Sequence, residues 1–144
     1  MNTSTVLYTP QVLALATSLA SYPPDPALPH AGDARSPACG STLSVQLGTD
    51  GMGRITAVGL RTHACAIGQA SAAIFAEAAI GRNADDLVSF FQQIEAWLRG
   101  DAVLPEWPGL AAIAAAQAYP GRHGAILLPW KAAIAALSSN DPSS

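Results

Sequence analysis

At 144 residues the chain has the length of one compact domain, which buries roughly two thirds of its unfolded surface and needs no disulfide to fold. Only 12% of it is charged while 50% is hydrophobic, so the surface is short of charge and leaves room for a second copy or another protein to cover an apolar face. The net charge is −3 and the seven cationic residues (Arg35, Arg54, Arg61, Arg82, Arg99, Arg122 and Lys131) form no run, which excludes a nucleic acid as the main partner.

The apolar stretch from Val12 to Ala20 is too short to cross a bilayer. No Lys or Arg precedes it, and Thr9-Pro10 reads instead as an N-cap followed by proline at the first helical position. Residues 9–21 are therefore expected to form an N-terminal helix stopped before Pro23-Pro24, in a cytoplasmic protein. Two cysteines without an export signal read as reduced thiols rather than a bridge.

From Ser21 to Pro37 the sequence is rich in Pro, Ala and Asp without a period, and the expectation over 22–37 is an extended linker. Leu43, Val45 and Leu47 alternate with Thr42, Ser44 and Gln46, as in a strand with one buried face. Gly48-Thr49-Asp50-Gly51 supplies a turn, and Arg54 to Leu60 gives a second strand anchored by Ile55 and Val58, closing a hairpin. The small apolar residues from Ala64 to Ile80 predict a helix ended by Gly81. Asn83 caps the next helix, with Asp85 and Asp86 in its first turn and Leu87, Phe90, Phe91, Ile94, Trp97 and Leu98 at helical spacing up to Gly100.

Beyond Pro105 and Pro108, Leu110 to Tyr119 predicts a short Ala-rich helix broken by Pro120-Gly121. A last helix is expected from about Arg122 to Leu137, burying Ile126, Leu127, Trp130, Ile134 and Leu137, with Pro129 as a kink. Residues 138–144 are polar and read as a flexible tail to the core over 38–137. Strands early and helices late give a single α+β domain, with helices packed on one face of a small antiparallel sheet.

A hairpin centred near Asp50-Gly51 sets Cys39, just before its first strand, beside the stretch from Thr62 to Cys65, just after its second. Both thiols then share one end of the sheet. Cys65 also falls at the start of a helix, where free N–H groups and the dipole favour thiolate, the form that binds metal or attacks sulfur. His63 and His123 are the imidazoles available to a mixed Cys and His site. There is no CxxC pair, no phosphate-binding glycine loop and no GxSxG elbow. Gly48, Gly51 and Gly53 read as turn residues, Asp85, Asp86 and Glu95 as helix charges, and Trp97, Trp107 and Trp130 as core.

Pro37-Ala38-Cys39-Gly40-Ser41 and Ala64-Cys65-Ala66-Ile67-Gly68-Gln69-Ala70-Ser71-Ala72-Ala73 resemble the P-x-C-G-D and G-C-x-I-x-x-A-S-A-S segments of the IscU/SufU/NifU N-terminal scaffold family. Gly121 to Trp130 is similar to the helix start that carries that family's third cysteine. The resemblance spans residues 37–137 in the same order. It implies a three-stranded antiparallel sheet covered by helices, and a non-enzymatic scaffold that accepts sulfur from a cysteine desulfurase, assembles a labile iron–sulfur cluster and passes it to acceptor proteins. Some members bind zinc at the same place. Carried over by position, Cys39 and Cys65 match the first two cysteines, and His123 matches the position beside the third, so these three are the expected ligands of iron, zinc or a cluster.

The chain departs from the family pattern at two ligand positions and at the chaperone-docking motif. Ser41 stands at the aspartate position and Gly124 at the third cysteine, and a serine hydroxyl is a poor metal ligand at neutral pH. The L-P-P-V-K sequence is absent, with Ala118-Tyr119-Pro120-Gly121-Arg122 in its place. The coordination left open would fall to water, to a ligand such as glutathione, or to a second subunit. Two other readings stay open: a family member that binds no metal and acts as an interaction or regulatory protein of the desulfurase, and a thiol enzyme in which His63 activates Cys39 or Cys65.

Overall fold

The computed structural model describes residues 7–138. Helix α1 (Pro10–Ser18) opens as its sequence predicts, with the Thr9 hydroxyl accepting from the Val12 N–H at 3.1 Å and proline in its first turn. A 3-10 turn (Leu19–Ser21) extends it. Strands β1 (His30–Arg35), β2 (Thr42–Thr49) and β3 (Ile55–His63) form an antiparallel meander in that order. Helices α2 (Ala66–Ala79), α3 (Ala84–Leu98) and α4 (His123–Ser138) follow, with 3-10 segments at Leu110–Ala118 and Pro120–Arg122 between the last two. This is the expected α+β architecture of a three-stranded sheet with helices.

The hairpin forms where the turn residues put it. Asp50 accepts from the N–H groups of Met52 and Arg54, and Gly53 turns the chain at φ +78°, a conformation that costs glycine little. Register runs from Thr42 opposite His63 to Thr49 opposite Ile55, with an irregularity at Gly48/Thr49. That bulge leaves Thr56 without an opposite residue, and it explains how Ile55 and Val58, out of phase in a regular strand, both turn toward the core.

Strand β1 corrects the expectation of a linker over 22–37. Its sequence, HAGDAR, shows no apolar alternation because its inward positions are His30, Gly32 and Ala34, small or polar residues beneath a helix. Helix α4 lies directly on Gly32: a β-carbon there would stand 2.5 Å from the Ala136 nitrogen and 2.9 Å from its Cα. The preceding residues do cross the surface as extended chain, with the Leu60 N–H donating to the Tyr22 carbonyl and the Asp25 N–H to the Gln46 side chain.

Helix α2 is buried on nearly every side, from Ile67 through Phe75 to Ala79, and packs against α1, α4 and β3. Phe75 stacks on Trp107 at 5.8 Å, and Trp130 meets both rings edge-on. The Trp107 indole donates to the Ile74 carbonyl at 2.9 Å. Trp97, Trp107 and Trp130 are all core residues, as their sequence context implied. Helix α3 starts on a reciprocal capping box between Asn83 and Asp86. The segment expected as an α-helix from Leu110 is 3-10 instead, with a break at Ile113. Its buried residues Leu110, Ile113 and Ala116 recur every three positions, which suits three residues per turn. Helix α4 runs through Pro129, forgoing the one bond its nitrogen cannot donate. Of the polar tail, Ser138 ends α4 and residues 139–144 lie outside the described residues.

Candidate functional site

Three chain segments meet at one corner of the molecule. The first is the turn joining β1 to β2, residues 36–41, closed by the Ser36 N–H on the Ser41 carbonyl and the Gly40 N–H on the Ser36 carbonyl, both at 2.8 Å. Gly40 takes φ +74° here. The second is the start of α2, where Cys65 is the N-cap residue with extended backbone and no capping bond from its side chain. The third is the start of α4, at His123 and Gly124.

The contacts that join these segments are short. A β-carbon at Gly124 would lie 3.0 Å from the Ser36 Cβ and inside contact distance of its hydroxyl. At Gly68 a β-carbon would lie 3.1 Å from the Ala125 Cβ. The Ser71 hydroxyl donates to the Ile126 carbonyl at 2.7 Å, fastening α2 to α4. Because Thr42 pairs with His63, Cys39 stands three residues before one end of that pair and Cys65 two residues beyond the other. The hairpin thus brings both cysteines to the same end of the sheet, as the sequence implied.

Both thiols are free, Cys39 exposed and Cys65 half-buried. The Cys39 thiol donates to the Ser41 hydroxyl at 3.1 Å. Its pKa is held below the usual thiol range, chiefly by the Ser36 hydroxyl and then by that of Ser41, with partial desolvation opposing them and the Arg122 guanidinium adding attraction. Hydroxyls that accept from the thiol turn to donate to the thiolate, which favours the charged form. Ser36 and Ser41 are themselves buried, at 3% and 5% exposure, so their orientation is fixed by the turn. Arg122 is steadied by the Tyr8 hydroxyl, to which its Nη2 donates at 3.3 Å.

His123 has its Nε2 2.8 Å from the Gln117 carbonyl. A carbonyl only accepts, so Nε2 carries a proton, and in the neutral imidazole Nδ1 keeps the lone pair, the arrangement common among histidines that ligate metal through one nitrogen and are oriented through the other. Among the described residues no group of three or more His, Cys, Asp and Glu side chains is disposed to hold a metal ion. His63, the last residue of β3, is exposed.

Ser36 and Arg122 are site residues that sequence reasoning does not single out, since its candidates are the cysteines, His63, His123 and the family's ligand positions Ser41 and Gly124. Ser36 had a signal, a hydroxyl three residues before a cysteine in a proline-containing turn. Arg122 had none, since it approaches Cys39 only through tertiary structure.

A family model described as the NifU-like N-terminal domain matches residues 21–123. The crystal structure of the N-terminal part of a nitrogen-fixing NifU-like protein from Brucella abortus superposes with TM-score 0.84 at 24% identity, covering 94% of this chain and 97% of that one. A protein from the thermophile Fervidobacterium islandicum AW-1, assigned as an iron–sulfur cluster assembly scaffold protein for the SUF system, gives TM-score 0.82 at 22% identity over 94% and 99% of the two chains. At these identities the likeness shows a common fold. No curated protein matches the chain. Among the described residues no helix is long and apolar enough to cross a membrane.

Proposed function

The chain belongs to the NifU-like N-terminal domain family, a family of iron–sulfur cluster assembly scaffolds, and we propose that it takes iron, zinc or a labile cluster as cargo at the corner formed by Cys39 and Cys65. The observation that carries this reading is the juncture of the 36–41 turn with the starts of α2 and α4, which brings an exposed thiol of lowered pKa to the same end of the sheet as a second free thiol. Thiolate is the ligand form for iron and zinc alike, and it is also the nucleophile toward a persulfide. Sulfur would arrive from a cysteine desulfurase and leave, with the metal, on an acceptor protein in the cytoplasm. The protein turns nothing over itself.

Two thiolates leave a tetrahedral ion incomplete. His123, with its Nε2 on the Gln117 carbonyl and its Nδ1 left for a metal in the neutral imidazole, is the third donor in this reading. The remaining position goes to water, glutathione or a residue of a second copy. Ser41 serves the thiolate as a hydrogen-bond donor rather than the metal as a ligand.

Anaerobic reconstitution with ferrous iron and sulfide, or with zinc, tests this. Wild-type protein is expected to retain close to one metal equivalent per site after desalting, and Cys65→Ser to lose most of it. Unchanged iron and zinc stoichiometry in Cys65→Ser removes Cys65 from the site.

A second reading is favoured by the absence of a side chain at Gly124 and of any ready-made three-ligand group among the described residues. In it the chain keeps the fold and the desulfurase-facing surface, binds no metal, and regulates the desulfurase. Metal-free wild-type protein that binds a cysteine desulfurase as tightly as Cys65→Ser does would establish it.

A further inference from the structure

Gly124 faces Ser36 across a gap that holds one side chain, and Ser36 has it. Any β-carbon at position 124 would stand 3.0 Å from the Ser36 Cβ, closer than packed carbons normally come, and closer still to the hydroxyl. Neither side has slack. Ser36 follows Arg35, paired with Thr42 in the sheet, precedes Pro37, and has both its N–H and its carbonyl bonded within the turn. The start of α4 is pinned by the close approach of Gly68 to Ala125 and by the Ser71 hydroxyl on the Ile126 carbonyl. Ser36 is 3% exposed, so its hydroxyl cannot swing to solvent.

We infer that Ser36 is the residue that sets the donor number of this corner: its hydroxyl occupies the room that a side chain from position 124 would use, and limits the site to two thiols. Positions 36 and 124 are therefore coupled, and a thiol introduced at 124 can join Cys39 and Cys65 only when Ser36 is cut back. A neutral hydroxyl in that place stabilises thiolate without competing for a soft or borderline metal ion, which keeps the corner open to an outside donor. The inference rests on the proposed function for its biological meaning, but the coupling itself is steric.

The test compares wild type, Ser36→Gly, Gly124→Cys and the double variant Ser36→Gly/Gly124→Cys in anaerobic titrations with cobalt(II), read by thiolate-to-cobalt charge-transfer absorbance, alongside thermal melts. Gly124→Cys alone is expected to lower the Tm and to leave cobalt affinity within about twofold of wild type. The double variant is expected to recover the Tm and to bind cobalt about tenfold tighter than Gly124→Cys, with added charge-transfer intensity from the third thiolate. If Gly124→Cys does not fold, a double variant melting near wild type supports the coupling by itself. The inference is overturned if Gly124→Cys alone keeps the wild-type Tm and gains the full affinity, or if the double variant melts no higher and binds no tighter than Gly124→Cys. A wild type that takes no cobalt beside a double variant that does sinks the proposed function and leaves the coupling standing. The reverse pattern, a wild type that takes cobalt and a double variant that improves on nothing, sinks the coupling alone.

Discussion

At the residue scale the site depends on what surrounds each thiol. Sequence reasoning placed the favoured thiolate at Cys65, from its position at the start of a helix. The structure places the lowered thiol pKa at Cys39, where two buried hydroxyls and a guanidinium stabilise the charged form. A hydroxyl three residues before a cysteine, next to a proline, could be read from Ser36-Pro37-Ala38-Cys39-Gly40-Ser41, but the backbone closure that buries it beside the thiol could not. The sign of the effect is testable. Because the thiol pKa is lowered, Cys39 reaches half its maximal alkylation rate at a lower pH than an ordinary thiol, and its thiolate fraction falls as pH drops through that depressed value. Ser36→Ala removes the largest cause and shifts the midpoint of Cys39 alkylation upward. The rate of iodoacetamide modification at Cys39, followed by peptide mass spectrometry across pH, measures it, and an unmoved midpoint excludes Ser36 from the thiolate's stabilisation.

At the element scale, strong periodicity predicted well and close backbone packing hid the rest. Leu43, Val45 and Leu47 announced β2, and Asn83 with Asp86 announced α3; each element formed where these residues put it. Strand β1 was invisible because its core-facing positions carry little apolar surface, the burial being supplied by the backbone of α4 pressing on Gly32. The segment from Leu110 is rich in alanine, which favours α-helix, whereas its 3-10 path shows in the three-residue spacing of its buried side chains together with the break at Ile113. Gly32→Ala should accordingly destabilise the fold by about 1–3 kcal/mol through overpacking, whereas Gly121→Ala, with nothing within 4 Å of its added carbon, should change stability by under about 0.5 kcal/mol. Urea unfolding of the two variants checks the contrast, and equal midpoints would mean that α4 can lift from β1 at little cost.

At the scale of the whole molecule, the fold works as a device for assembling a corner from three distant stretches of chain. The hairpin register brings the Cys39 turn to the start of α2, and the contacts of Gly68, Ser71 and Gly124 set α4 against both. The hairpin half of that assembly was legible, since a turn at Asp50-Gly51 fixes which residues lie opposite. The α4 half was legible only through resemblance, since no local pattern says where a C-terminal helix docks. The resulting corner differs from a closed metal site: two free thiols share it, and a buried serine stands where a side chain from position 124 would enter.

What defines the proposed site is how many sulfur atoms it gives to a metal ion. Zinc K-edge X-ray absorption of the wild-type protein, loaded anaerobically with one equivalent of zinc and freed of small thiols, counts them directly. Two sulfur scatterers per zinc at about 2.3 Å, with the balance nitrogen or oxygen at about 2.0 Å, is the predicted shell. A first shell of nitrogen and oxygen alone, identical in the Cys39→Ser and Cys65→Ser variants, would contradict it.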